Sequence, residues 1–107
     1  MKKLNVVIVL AAVCLLMGAQ AAHGANIYVD YYYGSDGNDG LSWGTAKASM
    51  SNALSIATPG DTIHAIGDYT YCGFDVAVPN LTLLGGYPPG GGERNPSIHT
   101  SYISNYD

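Results

Sequence analysis

From Asp61 onward the chain is a series of short runs rich in apolar and β-branched residues, each stopped by turn formers. Residues 61–66 end at Gly67-Asp68, and Tyr69-Thr70-Tyr71 follows. Residues 74–78 end at Pro79-Asn80, residues 81–84 end at Gly85-Gly86, and residues 97–103 come after a Gly- and Pro-rich stretch at 87–96. Helices in folded domains run to about 10 residues or more, and none of these runs carries a helical period. Short strands joined by turns are therefore expected over 61–107. Gly, Pro and Asn supply the turns, because they adopt or pre-set the backbone angles that a reversal needs.

One strand and one helix are expected ahead of that segment. Over residues 26–33, Ile27, Val29 and Tyr31 alternate with Tyr28, Asp30 and Tyr32, the period of a half-buried strand. The glycine- and Asx-rich stretch 34–40 stops it as a loop. Met50, Ala53, Leu54 and Ala57 then fall at i, i+3, i+4 and i+7, one face of a helix of about three turns. Thr45 or Ser49 caps its start, and Pro59-Gly60 ends it.

Residues 1–21 have the order of a signal peptide: Lys2-Lys3, an apolar run over 4–17 broken only by Asn5, then the small residues Gly18, Ala19 and Ala21. The run is shorter than the roughly 20 apolar residues that a membrane span requires, so cleavage after Ala21 or after Gly24 is expected. A secreted, extracellular or cell-surface location follows, the outer membrane included. Membrane attachment is expected only through an anchor outside this chain. Once Lys2 and Lys3 are set aside, Lys47 and Arg94 alone face all 8 acidic residues. Such a surface repels phosphate, which argues against nucleic acid and anionic lipid as partners. Cys72 is left as a single thiol, which excludes a disulfide scaffold.

Three segments result: a leader at 1–21, the strand, loop and helix at 22–60, and the strand-and-turn segment at 61–107. Ile63, Leu83 and Ile103 are evenly spaced in the last of these, as in a solenoid that turns once per about 20 residues. The order of parts is Ile27-Tyr28-Val29-Asp30, Asp39-Gly40-Leu41-Ser42-Trp43, Pro59-Gly60-Asp61-Thr62-Ile63, Gly67-Asp68-Tyr69-Thr70 and the stretch 81–87. It resembles the N-terminal end of secreted right-handed parallel β-helix proteins, the pectate-lyase-like superfamily, which includes bacterial surface proteins and the polymorphic outer-membrane type. The resemblance covers nearly everything after the leader. It implies a mostly β fold, with an N-terminal strand and one capping helix followed by about two coils of a right-handed parallel β-helix. The helix is expected to close the first coil, with Trp43 pinning it there. A stacked solenoid needs three or more repeats, so a two-coil chain is expected to be a truncated form, prone to self-association along its open strand.

The residues with chemical potential are few. Asp30, Asp36, Asn38 and Asp39 place oxygen donors on or beside a glycine-rich loop, and Asp36, Asn38 and Asp39 are the candidate Ca²⁺ ligands. They lack the spacing of an EF-hand loop, and the same residues are ordinary turn formers, which is the simpler reading. His64, His99 and Cys72 have no close spacing that preorganises a zinc site and are expected at solvent-facing strand positions. Cys72 has no basic neighbour in sequence to activate it. The 9 tyrosines, Tyr31, Tyr32 and Tyr33 in a row, suit stacking on sugar rings as well as strand formation. The resemblance implies for related lyases a basic proton acceptor beside acidic Ca²⁺ ligands. Lys47, expected on the helix, and Arg94, in the 87–96 loop, match no such motif. No cofactor is expected, and residues of this chain are expected to catalyse nothing. The expected role is a structural, adhesin-like or carbohydrate-contacting cap of a surface β-helix, with polysaccharide or cell-surface components as partners. The alternative is the N-terminal fragment of a polysaccharide lyase or glycoside hydrolase whose catalytic coils lie elsewhere.

Overall fold

The computed structural model describes residues 24–104; the leader expected at 1–21 lies outside them. The fold is mostly strand and turn with one short helix. In chain order the elements are β1 (Asn26–Val29), a 3-10 turn (Trp43–Thr45), α1 (Met50–Ile56), β2 (Thr62–Ile66), β3 (Tyr69–Tyr71), β4 (Thr82–Tyr87) and β5 (Ser101–Ile103). The strands form two small parallel sheets, β1-β2-β4 and β3-β5. The chain visits the sheets in alternation, placing β2 in the first and β3 in the second, then β4 in the first and β5 in the second.

Register follows the period of two. Ile27 pairs with Ile63, and Ile63 with Leu83, so three branched aliphatics lie side by side across the first sheet. In the second sheet Tyr71 pairs with Ile103. The inward residues Ile27, Val29, Ile63 and Ala65 meet Met50 and Ala53 of α1 and Tyr71 of β3 in one buried cluster. Leu54 and Ala57 pack at its margin. The helical face read from the sequence is thus the face that packs, with its first half buried more deeply than its second.

The strands end in places that the apolar pattern alone does not predict. β1 stops at Val29 rather than Tyr33, because the Asp30 carboxylate accepts the N–H groups of Tyr32 and Tyr33 and turns the chain away. α1 has about two turns rather than three. Ser49 is its cap, the hydroxyl oxygen accepting the Asn52 N–H, while Thr45 belongs to the 3-10 turn. Ala57 is already extended, and Thr58 bonds the Asp61 carboxylate through both its N–H and its hydroxyl. A residue before proline disfavours the helical region in any case.

β4 runs through Gly85-Gly86 to Tyr87 instead of stopping before them. Ser101 lies against Gly85 so closely that a Cβ there has no room, which makes the glycine a close-approach residue within the strand. Residues 74–78 form no strand; a parallel strand exists only through its neighbour, and no described segment is paired with them. Of residues 97–103 only the last three are strand, since the Asn95 carbonyl accepts the N–H groups of Ile98 and His99 and rolls 97–99 into a turn. Of the evenly spaced Ile63, Leu83 and Ile103, the first two alone therefore lie side by side in one sheet. Ile103 belongs to the other sheet, and the loop after Tyr87 makes the second pass longer than the first.

Candidate functional site

Two groups of aromatic side chains are brought together by this register. On the face of the first sheet opposite the core, Tyr28 of β1 stacks on His64 of β2, with ring centroids 4.9 Å apart and planes 16° from parallel. Trp43 of the 3-10 turn leans on Tyr28 at 4.9 Å and on Tyr87 of β4 at 5.1 Å. Trp43 thus joins β1 to β4 on this face. It lies against Gly91, where any side chain would collide with the indole, and so holds down the loop after β4.

His64 is hydrogen-bonded at both ring nitrogens, Nδ1 to the Tyr87 hydroxyl at 2.7 Å and Nε2 to Asn26 Oδ1 at 2.8 Å. Burial pushes its pKa below the ordinary imidazole value, favouring the neutral form. In that form Nε2–H donates to Asn26, and Nδ1 accepts the Tyr87 proton. His64 is thus half-buried and bonded rather than simply solvent-facing.

The second group straddles the end of β1 and β3. Tyr31 stacks on Tyr69 at 4.3 Å and 18°, Tyr32 meets Tyr31 edge-on at 5.4 Å, and Tyr71 meets Tyr69 edge-on at 4.8 Å. Tyr71 is buried, donating its hydroxyl to the Ile66 carbonyl at 2.8 Å, and burial together with the charge of Asp30 raises its pKa. Burial likewise raises that of Tyr69. Tyr31, Tyr32 and Tyr33 are exposed, Tyr33 at 74%. Between these rings and the start of α1 lies a cavity of about 220 Å³ bordered by Tyr31, Tyr69, Asp36, Ser49, Ser51 and Cys72.

The three candidate Ca²⁺ ligands are engaged by protein groups. Asp36 Oδ1 accepts the N–H groups of Ala48 and Ser49 at 3.0 Å each, and the Ser49 hydroxyl bonds both carboxylate oxygens at 3.1 Å. Asn38 donates its amide to the Ala46 carbonyl at 3.0 Å. Asp39 Oδ1 accepts the Leu41 N–H and the Thr45 hydroxyl, and these two bonds, in that order, hold its pKa below the ordinary carboxylate value. Among the described residues no three His, Cys, Asp or Glu side chains gather at one point.

The other singled-out residues lie apart. Lys47 precedes α1 and is buried, with Nζ on the Asp36 carbonyl at 2.9 Å. Arg94 Nε donates to the Gly85 carbonyl at 2.6 Å, Cys72 is exposed, and His99 Nδ1 meets Asp68 Oδ2 at 2.7 Å. Asn26 and Tyr87, the partners of His64, escaped the sequence reading. Their only signal was the strand pattern, which becomes a contact once β1, β2 and β4 are known to be adjacent. Comparison with protein-family models, with curated proteins and with solved structures gives no match.

Proposed function

We propose that this chain is the N-terminal cap and first coils of an exported, right-handed parallel β-helix of the pectate-lyase-like kind, with a structural and carbohydrate-contacting role. One observation carries the reading: the outer edge of β1 is closed by the chain itself. Tyr28 donates its N–H to the Gly40 carbonyl at 2.8 Å and accepts the Lys47 N–H at 2.9 Å, and Asp30 donates to the Lys47 carbonyl at 2.8 Å. Loop residues thus occupy the hydrogen-bonding positions that another parallel strand would use, while Met50 and Ala53 of α1 fill the adjoining core. Closing an edge and covering a core are what the terminal unit of a stacked array has to do.

The far side differs. Thr82 donates to the Asp61 carbonyl, so strand alternation turns the Leu83 N–H away from β2. The exposed Tyr31, Tyr32 and Tyr33 supply ring faces of the sort that pack on sugars. Amide hydrogen exchange followed by NMR tests the one-sided cap. At concentrations that keep the chain monomeric, Tyr28, Asp30 and Lys47 are expected to be protected together with β2, and Leu83 to exchange much faster. Equal protection of Leu83 would mean that both edges are covered, and the cap reading would fail.

A further inference from the structure

We infer that the cavity between the Tyr31–Tyr69 pair and the start of α1 binds an organic ammonium group, as carried by an amino sugar or a choline-type head. The inference shares Tyr31 with the proposed carbohydrate contact but stands on the cavity, not on the β-helix reading. Its volume of about 220 Å³ suits one small ring or a branched ammonium. One wall is aromatic: Tyr31 and Tyr69 are stacked on each other, and Tyr31 keeps half of its surface open. The negative faces of tyrosine rings attract cations.

Asp36, an exposed residue, also lines the cavity. Its Oδ1 takes three protein donors, whereas Oδ2 takes only the Ser49 hydroxyl and retains acceptor capacity. Those donors are all uncharged. Among the described residues the nearby cation is Lys47, which bonds the Asp36 backbone carbonyl and forms no ion pair with the carboxylate. Aromatic rings in the same cavity as a carboxylate that has no cationic partner among the described residues favour a cation over a neutral sugar, and repel a uronate. The Ser51 side chain, on an exposed residue at the rim, adds a hydroxyl for a polyol.

NMR titration of the full chain with choline, glucosamine, glucose and galacturonate tests this directly. Choline and glucosamine are expected to move the Tyr31, Ser49, Ser51 and Cys72 signals at concentrations about tenfold below glucose, with galacturonate inert. Asp36→Asn is expected to weaken both by about two- to fivefold, the scale of one exposed ion pair. Because Asp36 also ties the loop to α1, Tyr31→Leu serves as the second variant; it removes an exposed ring, keeps the carboxylate, and is expected to weaken both probes as well. Choline binding without either sugar supports an ammonium site and removes the carbohydrate contact. Glucosamine binding without choline supports it and identifies an amino sugar. Equal binding of glucose and glucosamine overturns the ammonium inference and leaves the carbohydrate reading standing. Silence from all four probes overturns both.

Discussion

Asp30 is the charged side chain on which most of the backbone geometry here depends. It is 0% exposed, yet its carboxylate is satisfied: Oδ1 accepts from Tyr32 and Tyr33, and Oδ2 accepts from Gly90 at 2.7 Å, sixty residues along the chain. Three charge-assisted bonds offset its desolvation and join the end of β1 to the loop after β4. Asp30→Asn replaces one acceptor oxygen by a donor that must face an N–H. It is expected to destabilise by about 2–3 kcal/mol, measured as a shift in denaturation midpoint at unchanged slope. His64 makes a separate claim about pH. Its folded pKa is lowered, so the unfolded chain takes up the proton first as pH falls. The stability contributed by neutral His64 is therefore complete above its ordinary value of about 6.5 and is lost as pH drops through the folded value. The melting temperature should fall between pH 7.5 and pH 5, values that bracket that transition at about 6.5. His64→Gln should flatten that fall, and an unchanged slope in the variant would assign the dependence to another group.

At the scale of elements, α1 shows which kind of information the sequence holds. Its apolar face was legible because Met50, Ala53, Leu54 and Ala57 obey the helical period, and its cap was legible as Thr45 or Ser49, between which the structure selects Ser49. The depth of burial was not legible, since it depends on what crosses the face. Met50 and Ala53 are buried, whereas Leu54 sits at the margin. Met50→Ala should accordingly cost about 2–5 kcal/mol, Leu54→Ala less, and Ser49→Ala about 1 kcal/mol, all readable from urea denaturation. The inward alternation of β1, Ile27 and Val29, was legible for the same reason as the helix. The failures over β4 and residues 74–78 turn on a partner distant in sequence, whereas the early ends of β1 and α1 and the turn at 97–99 are set by local bonds to Asp30, Asp61 and Asn95. β4 passes through Gly85-Gly86 because Ser101 and Pro96 press against those glycines, and 74–78 lacks a strand because nothing described pairs with it. Glycine marks both a stop and a close approach, and only the neighbour decides which. The candidate sites follow suit. Tyr31, Tyr32 and Tyr33 were visible as a run, but the contacts of Tyr28, Trp43, His64 and Tyr87 needed the register of three strands.

For the molecule as a whole, the important property is that its two ends differ. Beyond β1, backbone groups from Tyr28 onward are taken by Gly40 and Lys47. Beyond β4, Arg94 and Asn95 cover the carbonyls of Gly85 and Gly86, but Leu83 faces outward, and β5 beside it carries Tyr102 and Ile103, the latter 68% exposed. Among the described residues no strand pairs with the outer edge of β4 or β5; an open parallel edge with apolar neighbours recruits another strand, and neither Pro nor Lys stands within β5 to oppose it. Head-to-tail stacking would require a free edge on β1 to receive the incoming strand, and that edge is closed. What remains is pairing of two open ends about a two-fold axis, an isologous contact that uses itself up. Sedimentation velocity should therefore show a concentration-dependent monomer–dimer equilibrium with no larger species. Ile103→Lys should shift it toward monomer by about tenfold in Kd, the value of burying one such side chain. A longer chain that supplies a further strand to the same edge should abolish the equilibrium. Growth into trimers or filaments would show instead that the β1 edge opens in solution, and that the loop bearing Gly40 and Lys47 is not the cap.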